Sequence, residues 1–525
     1  MTVSEIPTTE QAMQPRKLDH RRVWQTAARR IAMMACLVAA RGAVGGEFYI
    51  STTGSNGGSG SIGSPWGTFD YAISQIGAGD TLYVRGGNYS LSSRIRIQKG
   101  GVSGAPITMQ AYPGETPVLD FAANPSSSDR GIQLEHDWWH IKGLTVQNAP
   151  DNGVWVSGSN NIFEQLVLRY NGDSGLQLSG SSSRRPANNL ILNSDSYENY
   201  DASNHGENAD GFAAKFRELG PGNVFRGNRA WGNSDDGWDF WAAAYGVTVE
   251  NSWSFKNGIN IWGDGAFAGD GNGIKLGQDS GTHVIRNNLV WKNPHNGIDV
   301  NGNATPNFSV SPPHVPHGVT VDNNTAFANG GRNFRFDEEY PHLVRNNISL
   351  SGSETIYATV ADSFNTWNGI AFSTSDFLSF DDAGATGPRQ ADGSLPVLDF
   401  LRLAPDSRLI DQGVDVGLPY NGSAPDLGAY ETAAVVYLPG DFNEDLAVDG
   451  VDLTAWQTGF GITAGAAHGD GDADSDGAVA GTDYLIWQRD MAAAATNLTA
   501  IPEPTAAGLT AAAMLLVTAC RRRGR

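Results

Sequence analysis

The chain has 525 residues, 65 of them glycine, and a formal net charge of −21. That length accommodates one large domain with appendages, the glycine follows no collagen period, and the negative charge argues against nucleic acid as a partner. The two cysteines, Cys36 and Cys520, lie in terminal segments, so the body between them has no thiol or disulfide chemistry.

The chain opens with Lys17, Arg21, Arg22, Arg29 and Arg30 ahead of an apolar run from Ile31 to Ala40 and small residues at 43–46. This is the order of a secretory signal, and the run is too short to span a bilayer. Residues 1–45 are therefore expected to be a signal peptide cleaved near Gly45.

From there the sequence repeats. Gly153, Gly175, Gly211, Gly237, Gly273 and Gly297 each open a short alternating strand, at spacings of 22, 36, 26, 36 and 24 residues. Between them lie apolar strands flanked by asparagines, such as Asn161 to Asn171 and Asn223 to Asn233. The shorter spacings match one turn of a stacked solenoid; the longer ones add a loop, at 200–209 and 258–271. A propeller blade would need roughly 40 residues and four strands. The pattern predicts an all-β fold, a parallel β-helix, taken as right-handed although the hand is not set by the pattern. Each coil buries its apolar face against its neighbours, and stacked asparagines satisfy one another's amides.

Side chains alternate faces along a strand. In G-W-D-F, Trp238 and Phe240 point inward and Asp239 outward; in G-I-K-L, Ile274 and Leu276 point inward and Lys275 outward. Adjacent coils lie about 4.8 Å apart. Asp239 and Lys275 are thus expected as outward neighbours in one column, after Ala213 and before Asp299. A second column, just before the glycines, holds Asp210, Asp236, Asn272 and Asn296, with Asp235 beside Asp236 in a direction the register leaves open. Singly, Asp before Gly is ordinary turn chemistry and a strand lysine an ordinary surface charge. Asp239 differs, because Asp is disfavoured within strands. Converging carboxylates repel unless a hard cation neutralises them, and an all-oxygen set without cysteine suits calcium rather than zinc.

The stretches H-G-E-N-A-D-G-F-A-A-K (205–215), G-N-V-F-R-G-N-R-A-W-G-N-S-D-D-G-W-D-F-W (222–241) and N-G-I-K-L-G (272–277) resemble the family 9 polysaccharide lyases, which are pectate lyases. The segments at 48–69 and 421–431 resemble the ends of that family. The resemblance implies that residues 46–432 form the lyase domain, that Asp210, Asp235, Asp236 and Asp239 bind calcium (Ca2+), and that Lys275 is the base. The implied substrate is polygalacturonate (pectate), an acidic polysaccharide cleaved by β-elimination. That reaction removes a weakly acidic proton α to a carboxylate; a cation on the carboxylate stabilises the developing charge, and a neutral amine can take the proton. Lys215, Arg217 and Arg226 are candidates for holding other uronate carboxylates, with an ordinary surface charge as the equal alternative for each. Trp231, Trp241 and Trp262 are candidates for stacking on sugar rings, and core packing is their alternative.

Residues 439–490 carry eleven acids against Arg489 alone, a local net charge of −10. Asp441, Asn443, Asp445, Asp449 and Asp452 occupy positions 1, 3, 5, 9 and 12 of a calcium loop, and Asp472, Asp474, Asp476 and Asp483 repeat it with Ala480 at position 9. Position 12 is Asp instead of Glu, and each loop precedes a short helix. The pair resembles a type I dockerin, which implies calcium-stabilised folding over 433–492 and a cohesin-like protein as a partner; a purely structural calcium module is the equal alternative. Residues 493–525 end in I-P-E-P-T, an apolar stretch and R-R-R-G-R, which resembles a PEP-CTERM sorting tail. That tail implies a secreted or cell-envelope-associated bacterial protein that meets a membrane only before processing. Two other functions stay open: a polygalacturonase-type glycoside hydrolase working with carboxylates alone, and a non-catalytic β-helix adhesin.

Overall fold

The computed structural model describes residues 45–181, 183–216, 218–277, 281–301, 318–336, 341–357, 359–432, 438–444 and 447–497, without the side chains of 492–497. The expected signal peptide up to residue 44, the sorting tail from 498, Arg217 and Asp445 lie outside the described residues. The chain divides into two compact units, one ending at Thr432 and the other starting at Ala433. No helix among the described residues is long and apolar enough to cross a membrane.

The first unit is a stack of coils. Each coil contributes one strand to each of three parallel sheets, of twelve, ten and ten strands, and every strand pairs with its counterpart one coil away. One turn runs from Trp238–Asp239 through Val247–Glu250 and Trp253–Phe255 to Ile274–Lys275. The stack follows from the alternation. In the twelve-stranded sheet Met109, Ile141, Phe163, Ile191, Phe225, Val249, Ile285 and Val321 are successive register partners, and all are fully buried. The helix Phe69–Gln75 sits by the first coils and buries Phe69, Ala72 and Ile73. A later segment bearing Phe377, Phe400, Leu403 and Leu409 packs against Trp253, Phe255, Leu289 and Trp291, outside the third sheet. The same segment is tied down by Arg389 Nη2, which donates to Ser194 O and Asp195 Oδ1.

Glycine opens the site-bearing strands because adjacent coils approach closely there. A Cβ on Gly237 would lie 2.1 Å from Ser254 Oγ and 2.5 Å from Gly273 O. At the turns the asparagines form ladders. Asn199, Asn233, Asn257, Asn293 and Asn329 are buried in one file, each Oδ1 accepting the backbone N–H of its predecessor. A second file runs through Asn228, Ser252, Asn288, Asn324 and Asn347. These bonds satisfy turn amides that water cannot reach.

The second unit packs the helices Gly450–Gly459 and Gly481–Asn497 around Phe442, Val448, Ala473 and Trp487. Its two loops are built alike. Asp452 accepts from the N–H groups of Phe442 and Asn443, and Asp483 from those of Ala473 and Asp474. Trp456 Nε1 donates to Ala480 O and Trp487 Nε1 to Asp449 O, so each helix braces the ninth position of the other loop.

Replacing Asn257 by Ala removes both an acceptor and a donor from a fully buried file. The expected cost is about 2–3 kcal/mol, read from urea unfolding; an unchanged midpoint would show that the file does not hold the stack.

Candidate active site

The site lies on the outward face of one ten-stranded sheet. Phe212 pairs with Trp238 and Ala213 with Asp239; Asp239 pairs with Lys275, and Lys275 with Asp299. The column expected from alternation is therefore the one observed. Trp238 and Ile274 fill the interior, which turns Asp239 and Lys275 to the other face.

The column before the glycines is a further ladder. Asp210 Oδ1 accepts the N–H of Asp236 at 3.3 Å, Asp236 Oδ1 that of Asn272 at 2.7 Å, Asn272 Oδ1 that of Asn296 at 3.1 Å, and Asn296 Oδ1 that of Arg332 at 2.8 Å. Here each side chain reaches forward to the next coil, opposite in sense to the asparagine files. Asp210 and Asp236 thus do the structural work done by Asn272 and Asn296, and their second oxygens carry charge where an amide would carry a donor.

Asp235 points into the same area. Its Oδ1 accepts from Asp270 N at 2.7 Å and its Oδ2 from Asn208 N at 3.0 Å. One carboxylate so ties together the two inserted loops. Oxygens of Asp210, Asp235 and Asp236 lie within 4.8 Å of one another, all buried. Asp239 adjoins this trio through Lys215, whose Nζ lies 2.8 Å from Asp210 Oδ2 and 2.9 Å from Asp239 Oδ2. Ser174 Oγ donates to Asp210 Oδ2 and Trp241 N to Asp239 Oδ1. Lys275 Nζ lies 2.7 Å from Asp270 Oδ2 and 3.1 Å from Asp236 Oδ2. The latter contact is an ion pair without hydrogen-bond alignment, and Asp236 Oδ2 is left without a hydrogen bond in the interior.

The electrostatics follow from burying so many charges together. Burial holds Asp210 and Asp236 well above the usual carboxylate range, and their aspartate neighbours push them further. Burial also raises Asp235, against the pull of Lys275 and Lys215. For Asp239 burial acts upward too, but Lys215 and Lys275 outweigh it and hold the carboxyl low. Burial would lower Lys275, yet Asp236, Asp239, Asp235 and Asp270 together keep its ammonium far above its ordinary value. At the rim, burial pushes the Asp173 carboxyl up to about 6. A close all-oxygen trio with one unsatisfied buried oxygen fits a hard divalent cation.

The sequence-derived candidates fare unequally. Lys215 is no open uronate ligand: its side chain is 8% exposed and held between Asp210 and Asp239. Arg226 is in the twelve-stranded sheet, paired with Glu250, and is not brought to the site. Trp231 stacks between Tyr197 and Phe255 on the third sheet, a packing role. Trp241 is exposed beside Phe216, and Trp262 stacks on Tyr200 at 4.6 Å. Asp270 escaped the sequence reading; its place at the end of an inserted loop, five residues before Lys275, was the available signal. In the second unit Asp472, Asp474 and Asp483 bring carboxylate oxygens within 4.8 Å of one another.

Residues 48–347 match the family model described as the Pel9A-like, right handed beta helix region. Pectate lyase L of Dickeya dadantii (strain 3937) is 39% identical over 402 residues, covering 73% of this chain and 90% of the relative. Pectate lyase PEL9 of Emericella nidulans is 33% identical over 393 residues, covering 68% and 92%. The crystal structure of pectate lyase Pel9A superposes with a TM-score of 0.67 at 37% identity, over 74% of this chain and 97% of that one. These likenesses supply the right hand of the helix, and they span the coils that carry the carboxylates and Lys275. The chain belongs to the family of Pel9A-like right-handed β-helix proteins, the family 9 pectate lyases.

Proposed function

We propose that the first unit is a calcium-dependent pectate lyase that cleaves polygalacturonate by β-elimination, with Lys275 as base. The observation that carries this reading is the placement of Lys275: outward, beside Asp239 in register, and ion-paired into the buried acid cluster. Asp210, Asp235, Asp236 and Asp239 would hold the cation, the first three with oxygens already close together. Bound there, calcium would engage the substrate carboxylate and stabilise the charge that develops on it. Lys275 Nζ takes the proton from the carbon α to that carboxylate; the adjacent C4–O4 bond breaks, a C4=C5 double bond forms, and the leaving oxygen is protonated from water. The base must be neutral to act. The negative charges around Lys275 oppose this, so each carboxylate charge that is cancelled lowers its pKa. Trp241 N and Lys215 keep the Asp239 carboxylate fixed.

A hydrolase needs a carboxylic acid and a carboxylate that reach substrate on either side of the bond. The four aspartates are instead buried and committed to lysines and backbone amides, which favours the lyase. The second unit is read in the same proposal as a calcium module of dockerin type: its twelfth-position aspartates, Asp452 and Asp483, organise both loops. A cohesin-like partner and an extracellular or envelope location, for which the leader and tail sequences speak, complete it.

Lys275→Ala is expected to lower formation of unsaturated ends, followed by ultraviolet absorbance, by roughly 10²–10⁴-fold while calcium affinity stays within a small factor. Reducing ends released without that absorbance would assign hydrolysis instead. The wild-type rate should still be climbing at about pH 9, since an unperturbed lysine titrates near ~10.4 and activity is lost as pH falls below the pKa of its base.

Asp236→Asn keeps the Oδ1 ladder bond but removes a ligand charge. Calorimetric titration should show calcium binding largely lost with the fold intact. The sign of its pH effect follows from the raised carboxyl: stability is present at low pH and is lost as pH rises through the folded-state value. In chelator, the thermal midpoint of Asp236→Asn should therefore fall less than that of wild type between about pH 4 and about pH 8; parallel curves would contradict the assignment.

A further inference from the structure

An acidic polymer needs cations along its path, and the described basic residues offered from sequence do not supply them: Lys215 is buried between aspartates and Arg226 is in another sheet. The columns of the site sheet supply them further on. Beyond Lys275 the outward column continues to Asp299 and then Arg335. The ladder column continues from Asn272 through Asn296 to Arg332. Both arginines lie two coils past the base, about 10 Å along the axis at ~4.8 Å per coil.

Asp299, between Lys275 and Arg335 in the outward column, is fully buried, and its Oδ2 accepts from Asn296 Nδ2 and Asn301 Nδ2. Arg335 Nη1 is 3.5 Å from the same oxygen, so its charge is shared with that buried acid. Arg332 is exposed and rigidly held: its backbone N–H is bound by Asn296, its Nε donates to Thr355 Oγ1 at 3.1 Å and its Nη1 to Ser353 Oγ at 2.9 Å. Among the described residues these guanidinium bonds go to neutral hydroxyls, which orient the fork without cancelling its charge. In the other direction the outward column reads Ala213, Gln177, Trp155 and Gln133. The turns preceding it carry Asp173 and Asp151. Arg96, next in that column, is ion-paired with Glu135. The earlier coils hold a cation as well, the Arg130 guanidinium 4.8 Å over Trp155, but it lies by a strand four coils before the base, whereas Arg332 lies two coils past it.

We infer that Arg332, backed by Arg335, forms a subsite for a uronate carboxylate on the C-terminal side of Lys275, so that the acidic polymer lies along the helix axis over the later coils. The inference rests on the lyase reading for its substrate class. It is tested by equilibrium binding, which needs no turnover. In the full-length Lys275→Ala protein with calcium, the affinity for a hexamer of 4-linked galacturonate is measured by calorimetry. Adding Arg332→Gln should weaken binding roughly tenfold or more, as expected for loss of a charge-assisted bond; adding Arg332→Lys should weaken it less. Adding Arg96→Gln should leave it unchanged, as should the thermal midpoint in each case. In the otherwise wild-type enzyme, Arg332→Gln should raise KM for polygalacturonate by a similar factor with kcat within about twofold. Unchanged affinity with Arg332→Gln, an equal loss with Arg96→Gln, or no binding of the hexamer at all overturns the subsite. Hexamer binding that depends on Arg332, in a protein whose wild type forms no unsaturated product, upholds the subsite and rejects the lyase reading instead.

Discussion

Every coil of the first unit must satisfy backbone N–H groups at turns that are closed to water. The structure meets this need with side chains of Asn, Ser and Asp that reach across to the neighbouring coil. An unmet buried amide costs about 1–3 kcal/mol, so the requirement recurs with force at each turn. It also fixes register. A coil displaced by one residue would break its ladder bonds and turn its apolar side chains outward. Columns of residues far apart in sequence become reliable neighbours for that reason, and the site is assembled from such columns.

The chemistry of the site grows out of the same ladder. In the column where the following coils place Asn272 and Asn296, two coils place Asp, at 210 and 236, and either residue makes the hydrogen bond to the next coil. What changes is the outer atom, from a donor to a charged acceptor. Two lysines then enter as counter-charges, Lys215 deep between Asp210 and Asp239 and Lys275 nearer the surface at 13% exposure. Removing one partner from such a cluster leaves an uncompensated charge in the interior, which ties the stability of these coils to the occupancy of their carboxylates. The inserted loops close the cluster on one side because Asp235 binds the backbone of both.

Much of this was legible in the sequence because a solenoid turns three-dimensional adjacency into a periodic pattern. The repeat of Gly-opened strands announced the coils, and counting two residues from each glycine placed Asp239, Lys275 and Asp299 in one column. In the second unit the helices Gly450–Gly459 and Gly481–Asn497 stand at the two places where the acidic repeats were followed by helical sequence, the second longer than the short helix expected. Periodicity carries no information about the inserted loops. The part of Asp270 and the direction of Asp235 were therefore invisible, since both depend on how the segments 200–209 and 258–271 fold back on the cluster.

The sequence by itself determined the class of fold and the register that sets Asp239, Lys275 and Asp299 in one column and Asp210 and Asp236 in another, because alternation and coil length are local properties. The tertiary structure decided which charges are available. Lys215 follows its strand by one residue and looks like a surface cation in one dimension, but the stack closes over it and commits it to two aspartates. Arg226 carries an equal charge in an equally regular strand, yet that strand belongs to a different face of the helix. Burial and facing arise from the whole stack, and for ionisable groups they set both pKa and partner.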